Sequence, residues 1–294
     1  WDLLMNKQQN IGFIGLGVMG EPMCRNLSTK SGLKLTAFDR REEPLTRLAQ
    51  VGVGRAASLA EMAASDVVFL SLPDGEAVRD VCLGNTGLIA VLNAGAIVVD
   101  LGTSPVALAR ELDSRFREHD VLFSDAPVAR TRAAAEAGTL SIMVGAESRV
   151  FNALEPLLRM MGEEITHCGG VGSGQLVKIM NNMVLFQTVS ALAEALAIGR
   201  GAGIDPAVMF SALSKGSADS FALRNHGMKA MLLDTFPHDA FSTAYAMKDL
   251  GYALELARDV GFEASGAQLV QERFRQAIDA GFHDSYFPVV SRVI

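Results

Sequence analysis

An apolar run, Ile11-Gly12-Phe13-Ile14, leads directly into Gly15-Leu16-Gly17-Val18-Met19-Gly20 and then into a helical pattern. Few segments of this length constrain a fold more. In a strand–turn–helix of this form, Gly15 permits the tight turn, Gly17 lets the backbone approach a phosphate, and Gly20 lets the helix pack closely on the strand. Leu16, Val18 and Met19 complete the turn. The helix N-terminus then presents free N–H groups and a positive dipole end to an anion. The expected ligand is a dinucleotide pyrophosphate, and the expected fold starts as a βαβ unit.

The acid that such a unit needs is Asp39, which closes the second apolar strand in Ala37-Phe38-Asp39-Arg40-Arg41. A carboxylate there accepts hydrogen bonds from ribose hydroxyls and favours NAD(H). Arg40, with Arg41, could pair with a 2′-phosphate and leaves NADP(H) open. Capping of the next helix is the plainer use of Asp39. Two further strand ends, Leu72-Pro73-Asp74 and Gly102-Thr103-Ser104, fall where open parallel sheets bind ligands, although each could simply cap the following helix.

At 294 residues the chain suits two domains. A net charge of −7 argues against a nucleic-acid or anionic-membrane partner. The three cysteines, Cys24, Cys82 and Cys168, are widely spaced and lack a metal-ligand pattern, as expected of reduced thiols in the cytoplasm. Trp1–Asn6 lacks the basic flank and apolar core of a signal peptide. No run reaches the roughly 18 apolar residues of a membrane span. The five histidines show no ligand or triad spacing and read as surface or core residues.

Strand candidates Leu33–Phe38, Asp66–Leu72, Ala96–Asp100, Val121–Ser124, Leu140–Val144 and Glu164–Cys168 alternate with helical patterns starting near Met19, Glu42, Ser58, Gly75, Ser104 and Glu147. This alternation predicts a mainly parallel sheet covered on both faces. After the glycine-rich stretch 169–174 the pattern becomes helical to about residue 280, beginning with a long helix over Gln175–Gly199 that is apolar nearly all round. The expectation is an α/β nucleotide-binding domain over 10–170 and an all-α domain over 171–294, joined by that helix.

The residues also carry a family resemblance along nearly the whole chain. Gly15-Leu-Gly-Val-Met-Gly-Glu-Pro-Met23, Asp125-Ala-Pro-Val128, Gly138-Thr-Leu-Ser-Ile-Met-Val-Gly145, Gly174-Gln-Leu-Val-Lys-Ile-Met-Asn-Asn182 and Lys248-Asp-Leu250 occur in the order found in the β-hydroxyacid dehydrogenases. That family includes 3-hydroxyisobutyrate dehydrogenase, tartronate semialdehyde (2-hydroxy-3-oxopropionate) reductase and, more distantly, 6-phosphogluconate dehydrogenase. The resemblance implies a Rossmann domain, a helical substrate and oligomerisation domain, and a homodimer or homotetramer. It also implies reversible hydride transfer between nicotinamide and a small anionic 3-hydroxy acid or its semialdehyde.

Such chemistry needs a group that takes the hydroxyl proton in one direction and returns it in the other. Lys178, on the apolar helix, is the leading candidate, because such surroundings disfavour the charged form of a lysine. Asn182, four residues on, shares its helix face and could bond the substrate oxygen. From spacing alone Lys178 would snorkel to solvent, but both residues fall on positions the family uses. The resemblance further places Lys248, Thr103 and the loop residue Ser217 near cofactor or substrate.

One segment departs from the pattern. Where most relatives continue Asp-Ala-Pro-Val with Ser-Gly-Gly, this chain has Ala129-Arg130-Thr131. A guanidinium can clamp a carboxylate, sulfonate or phosphate, and Thr131 can add a donor. Sulfolactaldehyde reductase has a similar segment. The reading is therefore an NAD(P)-dependent dehydrogenase or reductase, with tartronate semialdehyde as the first substrate. 3-Hydroxyisobutyrate dehydrogenase and sulfolactaldehyde reductase are the alternatives. Imine reductases and non-catalytic nucleotide-binding modules are other readings, and retention of Lys178 speaks against both.

Overall fold

The computed structural model describes residues 9–238 and 240–294. The Trp1–Asn6 reading therefore lies outside the described residues. The chain forms two compact units, one ending at Lys178 and the other starting at Ile179.

In the first unit the elements are β1 (Asn10–Ile14), α1 (Gly20–Ser31), β2 (Lys34–Phe38), α2 (Glu42–Ala49), β3 (Gly54–Arg55), β4 (Val67–Leu70), α3 (Gly75–Leu83), α4 (Leu88–Val91), β5 (Ile97–Asp100), α5 (Val106–Arg117), β6 (Leu122–Asp125), β7 (Val128–Ala129), α6 (Arg132–Ala137), β8 (Leu140–Gly145), α7 (Ser148–Leu158) and β9 (Gly162–Gly169). The strands lie in the order β3-β2-β1-β4-β5-β6-β8-β7, with β9 on β8. Pairs from β3 through β6 are parallel, whereas β8 runs antiparallel to both β6 and β7. Alternation along β4 shows why both faces are covered. Val67 and Phe69 join one apolar cluster, and Val68 and Leu70 join the other. The helix expected near Ser58 is a single 3-10 turn, Leu59–Met62.

The long helix α8 covers Ser173–Gly201, and α9 (Pro206–Leu213), α10 (Thr243–Asp259) and α11 (Ser265–Asp279) follow. A π-helix spans Leu223–Met231 and a 3-10 segment spans Phe287–Arg292. The core of this second unit mixes aliphatic side chains with a group of aromatic rings. Phe186 meets Phe274 and Phe287 edge-on at centroid distances of 5.4 and 5.2 Å, the preferred arrangement for such rings. The reading of membrane-span length needs correction: α8 is long and apolar enough to cross a membrane by length and composition. Scattered amides and hydroxyls interrupt the apolar run without lowering its average enough. Phe186, Val189, Leu192, Ala193 and Leu196 from this helix are buried in the second core, as in the core helix of a globular domain.

The π-helix carries a buried titratable group. His226 is 5% exposed, its Nδ1 pairs with the Tyr286 hydroxyl, and its Nε2 has no hydrogen-bond partner. Burial, helped by the nearby Lys229 cation, pushes its pKa down to about 4. The folded state therefore keeps a neutral ring while the unfolded chain gains a proton below its ordinary value of 6.5. The stability it contributes is full above that value and is lost as pH falls towards 4. His226→Met removes this titration. Urea unfolding should show the variant less stable than the parent at pH 7, with the gap narrowing by about 3 kcal/mol near pH 4. A pH-independent gap would contradict the assignment.

Candidate functional site

The glycine turn is built as its sequence requires. Gly15 has φ +90°, and a Cβ there would sit 2.3 Å from the Ser71 carbonyl oxygen. A Cβ on Gly20 would sit 2.1 Å from the Gly15 oxygen, so the first turn of α1 packs directly on the loop. Gly17 differs, because a Cβ there would meet nothing within 4 Å. Among the described residues no packing demands that glycine, and the open space above it is what close approach of a pyrophosphate needs. The loop thus fits the pyrophosphate of a dinucleotide. Val18 is exposed and Leu16 is buried in the core.

Asp39 does not cap α2; the N-cap position is Arg41, without a side-chain bond. Its carboxylate instead accepts the Leu16 N–H at 2.6 Å and the Arg41 N–H at 2.8 Å. The Arg41 guanidinium in turn donates to the Leu16 carbonyl at 3.0 Å. Asp39 therefore shapes the glycine loop from the neighbouring strand end. The arginine that meets it is Arg41, while Arg40 is exposed beside it.

The other strand ends behave differently from one another. After β4, Leu72 is half-buried and Pro73 exposed, and Asp74 caps α3 by accepting the Ala77 N–H at 2.9 Å. After β5, the half-buried Thr103 precedes Ser104, which caps nothing: its hydroxyl donates to Asp100 Oδ2 at 2.7 Å. Asp100 and Asp125 are register partners at the ends of β5 and β6, and both are buried. Asp125 accepts the backbone N–H of Gly172 and of Gln175, each at 2.7 Å. Burial pushes its carboxyl up to about 6 against the lowering effect of those donors. The Gln175 side chain meets the β5 loop. Its Oε1 accepts the Ser104 N–H at 3.0 Å, and its Nε2 donates to the Gly102 carbonyl at 2.9 Å and Asp100 Oδ2 at 3.3 Å. Lys178 follows Gln175 by three residues on α8 and is 9% exposed, so it does not snorkel.

In the second unit, Asn182 is buried and donates to Asp249 Oδ2 at 2.7 Å while accepting from Asn181 at 3.1 Å. Lys248 Nζ lies 3.1 Å from the other Asp249 oxygen and 5.3 Å from the ring centroids of Tyr245 and Tyr252. Asn182, Asp249 and Lys248 are thus one cluster, whereas Ser217 sits in an exposed turn after α9.

Ala129 ends β7 and is half-buried. Arg130 has φ +86°, a region that non-glycine residues rarely occupy. Its guanidinium donates to the Thr139 carbonyl at 2.6 Å and to Glu163 at 3.2 Å. Thr131 caps α6, accepting the Ala134 N–H at 3.4 Å. Sequence reasoning assigned no site role to Asp100, Ser104 or Gln175. A charged residue closing the apolar strand Ile97–Asp100 was the available signal for the first.

Residues 10–170 match the NAD binding domain of 6-phosphogluconate dehydrogenase. Residues 172–293 match the description "NAD-binding of NADP-dependent 3-hydroxyisobutyrate dehydrogenase". The chain is 36% identical to 2-(hydroxymethyl)glutarate dehydrogenase of Eubacterium barkeri, covering 87% of this chain and 84% of that one. It is 34% identical to 2-hydroxy-3-oxopropionate reductase of Escherichia coli, covering 90% and 89%. A structure of Mycobacterium tuberculosis 3-hydroxyisobutyrate dehydrogenase with L-serine superposes with a TM-score of 0.88 at 30% identity, covering 98% of this chain and 99% of that one. Both family descriptions name NAD binding, and the second also names NADP, so NAD(H) as cofactor with NADP(H) possible fits this chain. The chain belongs to the β-hydroxyacid dehydrogenases, NAD(P)-dependent oxidoreductases of the 3-hydroxyisobutyrate dehydrogenase and 2-hydroxy-3-oxopropionate reductase type.

Proposed function

We propose that this chain interconverts a small anionic 3-hydroxy acid and its semialdehyde, with 2-hydroxy-3-oxopropionate (tartronate semialdehyde) as the first substrate, and that Lys178 moves the proton. The observation that carries this is a buried lysine one turn beyond a helix start that is hydrogen-bonded to two strand-end carboxylates. As a neutral amine Lys178 takes the substrate hydroxyl proton, and as an ammonium it returns one to the carbonyl oxygen. Nicotinamide, when bound, would supply hydride acceptance or donation. Gly15, Leu16, Gly17, Val18, Met19 and Gly20 would hold the pyrophosphate, Asp39 and Arg40 would meet the ribose, and Leu72, Pro73, Thr103 and Lys248 would line the dinucleotide. Asn182 keeps a second amide hydrogen for a substrate oxygen while Asp249 fixes its orientation. Ser217 and Ala129 complete the substrate contacts.

Arg130 supports a second substrate reading, an acid with a further anionic group. Holding a non-glycine residue at φ +86° costs of order 1–3 kcal/mol, and a retained guanidinium on that backbone is a reason to bear the strain. The relative named for 2-(hydroxymethyl)glutarate handles a dicarboxylate, and a sulfonate would suit the same clamp, with Thr131 as a further donor. Three unpaired cysteines favour the cytoplasm. Exposed Val184 and Ile198 on α8 favour a homodimer or homotetramer.

Lys178→Met should lower turnover by about 10²–10⁴-fold and leave NADH affinity, read by fluorescence titration, nearly unchanged. Turnover at the parental rate would remove Lys178 from the mechanism. Arg130→Gly should preserve or raise thermal stability, because glycine suits the backbone there. The same variant should raise KM by about 10-fold or more for whichever of tartronate semialdehyde, methylmalonate semialdehyde, succinic semialdehyde and sulfolactaldehyde the parent prefers. An unchanged KM across that panel would contradict the clamp.

A further inference from the structure

We propose that Gln175 is a positioning residue that locks the loop around Thr103 to the helical turn carrying Lys178, an inference that rests on the dehydrogenase reading of the site. Its amide bonds the backbone on both sides of Thr103, accepting the Ser104 N–H and donating to the Gly102 carbonyl. Its own backbone N–H is held by Asp125, and its side chain also reaches Asp100. Gln175 is fully buried, with a relative exposure of 0%. One residue thus fixes three things to one another: the end of β5, the end of β6 and the first turn of α8.

The choice of residue type follows from chemistry. The site needs a neutral group that donates and accepts at once, at the end of a side chain of this length. Asparagine is one methylene short. Glutamate, when ionised, loses the donor to Gly102 and places a second carboxylate against Asp100. Leucine has a similar volume but leaves the Ser104 N–H and the Gly102 oxygen unpaired. The loop cannot rearrange freely to compensate. A Cβ on Gly102 would already lie 3.1 Å from the Leu72 carbonyl, and Ser104 is tied to Asp100. Lys178 must meet a substrate oxygen with sub-ångström accuracy, and small misplacements of a reacting group are expensive in rate.

Gln175→Leu and Gln175→Glu test this in the full-length protein. For Gln175→Leu, single-turnover hydride transfer should slow by about 10–100-fold, with a larger isotope effect when deuterated cofactor is used. NADH affinity and substrate KM should stay within about twofold of the parent. For Gln175→Glu, the deficit should be similar at pH 8 and shrink towards pH 5.5, as the new carboxyl is protonated and regains its donor. A residue that only stabilised the fold would give no such pH-dependent recovery. Without cofactor, hydrogen exchange at the Ser104 amide should be about tenfold faster or more in Gln175→Leu. Parental hydride-transfer rates in both variants, or a Gln175→Glu deficit that does not change with pH, would overturn the proposal. If instead the parent itself turns over none of the semialdehydes, the functional reading fails, and Ser104 exchange still decides whether Gln175 holds the loop.

Discussion

Asp125 accepts two backbone N–H bonds where α8 begins, and the first turn of that helix, the one leading to Lys178, is set by this contact. A carboxylate at a helix N-terminus is favoured by the free N–H groups and the dipole. Here it is also removed from water, and burial dominates, so the carboxyl rises to about 6. The sign follows directly. The folded state binds a proton more readily than the unfolded chain, so this carboxyl's contribution to stability declines as pH rises through that value. At neutral pH the anchor is a cost borne for geometry. Two glycines make room for it: a Cβ on Gly145 would collide with the Asp125 carboxylate, and one on Gly174 with the Met143 carbonyl.

Much of the fold was legible because both units obey simple periodicities. Parallel strands buried on two faces read as continuous apolar runs, and β1, β2, β4, β5, β6, β8 and β9 all lie within a few residues of their expected positions. The misses have physical reasons. β3 and β7 are two residues each and exist only through pairing with neighbours, which no local pattern encodes. The π-helix reflects a shift in hydrogen bonding that leaves no residue signature. The length and hydropathy of α8 are those of a membrane span, and the side chains it places in the second core are a tertiary fact that a hydropathy average does not carry.

The candidate site could be proposed from residue chemistry, and its connections could not. The glycine loop, Asp39 and Lys178 were identifiable because each residue type matches a chemical need. That Asp39 serves Leu16 and Arg41 rather than a helix end depends on backbone geometry between separate segments. Asn182 and Asp249 are 67 residues apart in sequence and meet only in the folded unit. Gln175 sat inside a recognised motif yet looked like one more helical position. Arg130 was conspicuous as a replacement of a small residue, and its left-handed backbone added what sequence could not supply: the substitution is strained as well as charged.

If Lys178 moves the proton as proposed, the buried carboxylate at the end of β6 holds in place the turn that carries it. The most direct measurement is single-turnover hydride transfer in Asp125→Asn, an isosteric change that turns one acceptor into a donor facing an N–H group. The account predicts transfer slowed by about tenfold or more, the equivalent of one misplaced charged hydrogen bond, with NADH affinity retained because the glycine loop is untouched. Transfer at the parental rate would contradict it.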